Sequence, residues 1–238
     1  MKRTLGLTLL LFATLFSCMR QEKPLPAELS RAESVMWEHP DSALSILRSM
    51  PQSSLSSGKN YATWALLLAQ ARDKVYGKRL PDSLNIPSSD KLVQDAMDYF
   101  EKEGDLKRMA QTYYYKGQLL KDQKKITEAM PFFLKSKEMM TKLDEPLFTY
   151  LICQSLGNTY RYQDLYEESL VQLKDAYQYA LRSGNGERIS YALSELGRTY
   201  VHKNEMDSAL FYFGKSLDNA QRLGNIELEA MAMGELGV

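Results

Sequence analysis

Residues that commonly perform catalysis or bind metals are few in this sequence and lie far apart. The 238 residues include two histidines, His39 and His202, and two cysteines, Cys18 and Cys153. Two isolated histidines are too few for a metal cluster, and a catalytic thiol needs a nearby base that nothing in the pattern supplies. No glycine-rich phosphate loop, Gly-x-Ser-x-Gly or His-Glu-x-x-His motif is present. We therefore expect no enzymatic activity and no cofactor.

The charged residues indicate solvated helix faces. The full chain has 30 basic and 30 acidic side chains. Removal of a signal peptide that contains Lys2 and Arg3 leaves 28 basic and 30 acidic side chains, a net charge of −2. Nucleic-acid-binding proteins instead concentrate positive charge, so no nucleic acid is expected as a partner. The basic cluster at 121–125 is interrupted by Asp122. The pair Glu167–Glu168 fits a helix start, where carboxylates favour the positive end of the helix dipole, better than an acid–base pair.

Residues 1–18 have the features of a secretory signal peptide. A charged end precedes an apolar run of about a dozen residues from Leu5 to Phe16, shorter than the about 20 residues that span a bilayer. The segment Leu15-Phe16-Ser17-Cys18 resembles a bacterial lipobox, in which the signal is removed before a cysteine that is then lipidated. We expect lipid on Cys18, a tether at 19–26, and a protein of the cell envelope that faces the periplasm or the cell exterior. Ordinary cleavage that leaves Cys18 unmodified is the alternative.

A pattern with a period of 40 organises the rest of the chain, because glycines recur at 117, 157, 197 and 237. A period in this range is typical of stacked helical repeats. Glycine inside a helix costs about 1 kcal/mol relative to alanine, so its recurrence predicts close packing of two helices. Three copies of the pattern are present: Gly117 with Ala129 and Phe133; Leu156-Gly157-x-x-Tyr160 with Ser169 and Leu173; and Leu196-Gly197-x-x-Tyr200 with Ala209 and Phe213.

These residues resemble the tetratricopeptide-repeat (TPR) family, in which Leu-Gly and Tyr lie on a first helix and Ala-x-x-x-Phe on a second. The resemblance implies an all-α, right-handed α-solenoid of antiparallel helix pairs. It covers residues 105–238, the last repeat being truncated. More loosely it covers residues 27–104, a degenerate N-terminal part with an inserted loop near 77–89.

The second helices differ from the family pattern in length. The usual period is 34, and a proline normally closes the second helix. Thr141, Leu181 and Gln221 occupy that position here, so we expect each second helix to run further, in a long-helix variant with a period of 40. The expected breaks are Asp144-Glu145-Pro146, Gly184-Asn185-Gly186 and Gly224-Asn225.

The N-terminal part begins with two short helices. Apolar residues recur at helical spacing from Ala27 to His39, and His39-Pro40 is expected to end the first helix, because a residue before proline avoids the helical region. Asp41 or Ser42 is expected to cap the next helix.

The family resemblance also implies a ligand-binding groove. In the family the first helices line the concave face, and four positions on each helix point into it. Asn158 stands where peptide-clamping members keep an asparagine, but the lysines of such clamps have no counterpart here, so a defined carboxylate clamp is not expected. Ordinary exposed helix faces are the alternative to a groove. The predicted groove residues are Tyr114, Gln118, Lys121 and Asp122; Gln154, Asn158, Arg161 and Tyr162; and Ser194, Arg198, Val201 and His202.

Three functions are consistent with the sequence. The first is a non-catalytic lipoprotein that binds a peptide or protein in the groove. The second is the input, or sensor, half of a larger membrane-spanning signalling regulator. The third is a glycan-binding nutrient-uptake lipoprotein. Because Val238 falls inside a predicted helix with no cap, we expect either that the chain continues beyond it or that this end meets a partner.

Overall fold

The computed structural model describes residues 24–76 and 89–237, and within these ranges the chain is entirely helical apart from short turns. The predicted signal peptide and most of the tether lie outside the described residues, as does the predicted loop except Ser89, which begins a helix. The α-helices of the described ranges are α1 (Ala27–Val35), α2 (Pro40–Ser49), α3 (Gly58–Tyr76), α4 (Ser89–Glu103), α5 (Leu106–Asp122), α6 (Ile126–Lys142), α7 (Pro146–Arg161), α8 (Tyr166–Ser183), α9 (Gly186–His202), α10 (Met206–Leu223) and α11 (Ile226–Leu236), with a short 3-10 helix at Gln52–Leu55.

The helices form a right-handed α-solenoid of antiparallel pairs. Each α-helix packs on the next one along the chain, and α3, α5, α7, α9 and α11 also contact one another in that order. The first helices α5, α7, α9 and α11 begin at residues 106, 146, 186 and 226, and the second helices α6, α8 and α10 begin at 126, 166 and 206. Both sets therefore repeat with the same period as the glycines.

The turns repeat with this period too. Between pairs, residues 104, 144, 184 and 224 have positive φ, and three of the four are glycines, which adopt this conformation at little cost. Within pairs, Lys124, Asp164 and Asn204 adopt the same left-handed conformation, with φ of 62°, 58° and 60°. The expected breaks at 144, 184 and 224 are therefore confirmed. The turns within pairs carry no glycine, so the sequence signalled them less clearly.

Helix starts are capped in two ways. Asp105, Asn185 and Asn225 each accept a hydrogen bond in their side chains from the backbone N–H three residues later. The predicted cap of α2 at Asp41 or Ser42 is wrong, because His39 occupies the N-cap and Pro40 the first helical position. Proline favours that position, since its fixed φ suits a helix and its missing N–H would have no partner there.

The recurring glycines lie where the two helices of a pair are in close contact. A methyl group built on Gly117 would lie 2.6 Å from Cε1 of Phe133, and one on Gly157 would lie 2.5 Å from Cγ of Leu173. Gly197 faces the ring of Phe213 in the same way. The predicted packing role of these three glycines is confirmed. Gly237 differs, because it lies past the end of α11 with φ of 77°, and a methyl group built on it would have nothing within 4 Å.

The second helices run past the positions where the family pattern has proline. Thr141, Leu181 and Gln221 all lie inside helices, and α6, α8 and α10 contain 17, 18 and 18 residues. The core is continuous along the stack from Leu29 to Ala192, since each repeat covers the apolar face of its neighbour.

We predict that Gly197→Leu lowers the free energy of unfolding by about 1–3 kcal/mol or more, because the added side chain must displace the buried ring of Phe213. Thermal and denaturant unfolding measure the change.

Gly214→Leu is the matched control, since Gly214 lies in the neighbouring helix α10 with nothing within 4 Å of a built Cβ. Leucine favours a helix over glycine by up to about 1 kcal/mol, so this variant should be as stable as the original chain or slightly more stable. Equal destabilisation by both changes would contradict the packing role of Gly197.

Candidate functional site

Several predicted groove residues surround one open pocket, which we call the end pocket. It has a volume of about 550 Å³ and lies where the C-terminal ends of α5 and α7 meet the start of α6. A pocket of this size falls in the range that holds small ligands or side chains of a peptide. Its lining residues are Lys121, Asp122, Lys124, Ile126, Asn158, Arg161 and Tyr162.

Asn158 and Tyr162 give the end pocket its recognition chemistry. Asn158 Oδ1 is buried and accepts no hydrogen bond from the described part of the chain. Buried polar atoms are normally paired, so this oxygen favours a donor from a ligand. The side chain of Tyr162 is 71% exposed and offers a rigid aromatic surface at low entropic cost.

Arg161 and Arg198 do not present open guanidinium groups, contrary to the prediction that they would be available to a ligand. Arg161 binds Glu195 Oε2 at 2.8 Å, and Arg198 binds the other oxygen of Glu195 at 2.9 Å and also Glu235. The side chains of Arg161 and Glu195 are only 14% and 11% exposed. The four residues form an ion-pair network that joins α7, α9 and α11, which we call the arginine network.

The remaining predicted residues are dispersed. Tyr114 is 5% exposed and its hydroxyl accepts a hydrogen bond from Gln118 at 2.9 Å. Ser194 is buried and lies 3.0 Å from the hydroxyl of Ser216, so the prediction that it faces a groove is wrong. His202 is exposed and stacks on the ring of Tyr166, in the repeat that follows the end pocket. Gln154 is half-buried and Val201 is exposed.

A second pocket, which we call the central pocket, was not predicted. Its volume is about 330 Å³, and it lies where α3, α5, α7 and α9 converge on the link between α1 and α2. No periodic signal marks Trp37 or Lys74, because both belong to the degenerate N-terminal part. Arg188 stands two periods after Arg108, which is the one sequence signal that could have drawn attention to it. The lining residues are Trp37, Pro40, Asp73, Lys74, Tyr114, Tyr115, Leu151 and Arg188.

The thiol of Cys153 is the one cysteine side chain in the described ranges, and burial outweighs the effect of its neighbour Lys137. Cys153 is fully buried, and burial raises the pKa of its thiol to about 12, which keeps it protonated at neutral pH. Across residues 24–76 and 89–237, no three His, Cys, Asp or Glu side chains are grouped as metal ligands. No helix in those ranges is both long enough and apolar enough to span a membrane.

The fold is similar to that of solved TPR proteins. A signal transduction ATPase from Pyrococcus horikoshii with a tetratricopeptide-repeat sensor, PH0952, superimposes with a TM-score of 0.69 at 17% identity, over 88% of this chain and 31% of that protein. A Rap protein complexed with Competence and Sporulation Factor superimposes with a TM-score of 0.67 at 12% identity. The superposition covers 88% of this chain and 63% of that protein. The TPR protein TTC0263 of Thermus thermophilus superimposes with a TM-score of 0.54 at 14% identity. The superposition covers 89% of this chain and 98% of that protein.

These similarities define the class of structure as a TPR-like α-solenoid. At 12–17% identity they establish the fold alone. No protein-family model matches the chain, and no curated protein matches its sequence.

We predict that Glu195→Gln lowers the free energy of unfolding, because it leaves Arg161 and Arg198 without their shared carboxylate. The expected loss is about 1–3 kcal/mol, which lies between the values typical of surface ion pairs and of buried ones. Denaturant unfolding measures the loss.

The matched control is Glu167→Gln, which removes a carboxylate that is 76% exposed and paired with Lys203. Exposed pairs contribute less than about 1 kcal/mol, so this variant should be nearly as stable as the original chain. A Glu195→Gln protein that is no less stable than the control would show that the arginine network does not hold the repeats together.

Proposed function

We propose that the chain is a non-catalytic module that binds an extended peptide, or an extended segment of a partner protein, in the end pocket. The observation that carries this proposal is that Asn158 Oδ1 accepts no hydrogen bond from any described residue, while Tyr162 in the same pocket has an exposed ring. A peptide backbone supplies amide N–H donors at regular intervals, and its side chains can pack on a tyrosine ring. The pocket also has Lys121 and Lys124 in its lining, which favours acidic residues in the ligand.

The similar structures support this proposal without establishing it. One of them is a Rap protein solved in complex with Competence and Sporulation Factor. That complex belongs to a protein only 12% identical to this chain, so the ligand class is carried over here as a hypothesis. The affinity should fall with rising salt, because charges near a surface are screened over about 8 Å at physiological ionic strength.

A second candidate function is the input part of a larger signalling regulator. The solved structure that favours it is the Pyrococcus horikoshii signal transduction ATPase, which has a tetratricopeptide-repeat sensor. This chain aligns with 31% of the length of that protein. A further apolar run of about 20 residues encoded after residue 238 would favour this candidate over a simple lipoprotein. A glycan-binding nutrient-uptake lipoprotein has no specific observation in its favour.

The attachment to a membrane through lipid on Cys18 is also part of the proposal. It rests on the lipobox-like segment that ends at Cys18, which lies outside the described residues. Lipobox cysteines receive more than one acyl chain, and multiple chains anchor a protein stably where a single chain binds only marginally. The binding module would then face the periplasm or the cell exterior.

We predict that Asn158→Ala and Tyr162→Ala each weaken the binding of peptides selected from a random peptide library on the unaltered chain. Loss of the Asn158 amide removes a hydrogen bond to the peptide, and the affinity should fall by up to about tenfold, the contribution of one such bond. Fluorescence anisotropy of the labelled selected peptides measures the affinity.

The control is His202→Ala, since His202 occupies the position of Tyr162 one period later and lies outside the end pocket. This variant should bind the selected peptides with unchanged affinity. Failure to select any peptide, or equal losses in all three folded variants, would contradict binding in the end pocket.

We predict for the anchor that a fatty-acid analogue labels the full-length protein in bacteria and that Cys18→Ser abolishes both the label and the membrane fraction. Cys153→Ser serves as the control, because its thiol is buried in the core and should not be acylated. A labelled Cys18→Ser protein would rule out lipidation at this residue.

A further inference from the structure

The central pocket contains two cations that form no ion pair within the part of the chain that the structure describes. Lys74 Nζ lies 3.5 Å from the centroid of the Trp37 ring, and the guanidinium of Arg188 lies 5.7 Å from the centroid of the Tyr150 ring. Both cations belong to half-buried residues. Among the described residues, no carboxylate lies within ion-pair distance of either one.

Other arginines on the first helices are paired, which makes Arg188 unusual. Arg108 occupies the same repeat position as Arg188, two periods earlier, and it binds Glu33 at 2.7 Å. The arginine network likewise compensates Arg161 and Arg198. Cations removed from water normally have a partner, so two cations in one pocket without an ion-pair partner among the described residues favour a ligand that supplies negative charge.

The electrostatics of the pocket agree with this interpretation. The pKa of Lys74 is lowered to about 8, first by burial and then by the positive charge of Arg188. Asp73 is the only acidic residue among the described residues of the lining, and its own pKa is raised by burial and by repulsion from Asp122. One carboxylate does not balance two cations, and the lining of the pocket therefore carries a net positive charge.

Aromatic and apolar side chains line part of the central pocket, beside its charged groups. Trp37 and Leu151 belong to this part of the lining, and Tyr114 and Tyr115 contribute to it from α5. A pocket that places aromatic side chains next to two cations suits a ligand that combines an apolar group with an anionic one. Arginine presents donors in a fork that matches the two oxygens of a carboxylate.

We propose that the central pocket binds a carboxylate carried on an apolar or aromatic group, with Lys74 and Arg188 as its charge partners. The carboxylate belongs either to the C-terminal residue of a peptide or to a free small organic acid. This site is separate from the end pocket, since the two share no lining residue.

The test compares N-acetylphenylalanine with N-acetylphenylalaninamide on the full chain. The two probes differ in the charged group alone, and the proposal predicts that the acid binds and that the amide binds at least about tenfold more weakly. Tryptophan fluorescence reports binding, because Trp37 lines the pocket while the other tryptophan, Trp64, is 9% exposed and donates to Leu47 O. A Trp37→Phe variant confirms which ring gives the signal.

Matched variants locate the charge partners. Lys74→Gln and Arg188→Gln should each lower the affinity for the acid at least about tenfold. Lys215→Gln and Arg182→Gln should leave it unchanged, since these residues also lie over aromatic rings, Phe211 and Tyr179, but away from the pocket. Asp73→Asn should strengthen binding, because it removes an opposing charge from the lining.

A tripeptide that ends in phenylalanine, N-acetyl-Ala-Ala-Phe, distinguishes the two sources of the carboxylate. Tighter binding of the tripeptide acid than of N-acetylphenylalanine assigns the site to a peptide C-terminus, and equal or weaker binding assigns it to a free organic acid. The proposal is overturned if acid and amide bind equally to the unaltered chain, or if neither changes the Trp37 signal in the millimolar range. Because the end-pocket experiment uses other variants, either proposal can fail while the other stands.

Discussion

The close contact between a glycine on the first helix and a bulky side chain on the second helix sets the geometry of three successive pairs in the stack. Gly117, Gly157 and Gly197 have no Cβ, and the space is filled by Phe133, Leu173 and Phe213. The contact fixes the separation of the two helices in each pair, and its regular repetition along the chain makes successive pairs alike. Neighbouring first helices can then stack in register, which determines where every side chain on them is presented. Both pockets depend on this register.

The features of the fold that could be predicted from the sequence are those set by local residues and repeated with the period. The packing glycines and the breaks at 144, 184 and 224 belong to this group, because each depends on the conformational preference of one or two residues. The cap of α2 was predicted wrongly, because the preference of Pro40 for the first helical position outweighs the capping preferences of Asp41 and Ser42.

The candidate site could be predicted only in part, because register places a side chain on a face but does not show what it meets. The repeat brought Lys121, Asn158 and Tyr162 to one pocket. It could not show that Glu195, which was at no groove position, neutralises Arg161 from the next first helix. The central pocket could not be predicted either, because Trp37 and Arg188 are far apart in the sequence and line the same pocket only in the folded stack.

The degenerate N-terminal part explains why equivalent positions in the repeats differ chemically. Arg108 and Arg188 occupy the same position, yet Arg108 is neutralised by Glu33 of α1, whereas Arg188 faces Lys74 of α3 and the ring of Trp37 across a pocket. A regular repeat would give both arginines similar neighbours. The residues that depart from the repeat therefore create the unbalanced charge, and departures from a local rule are where functional sites are expected. In this solenoid the regular repeats supply a continuous packed stack, and the irregular N-terminal part makes one side of it chemically distinct.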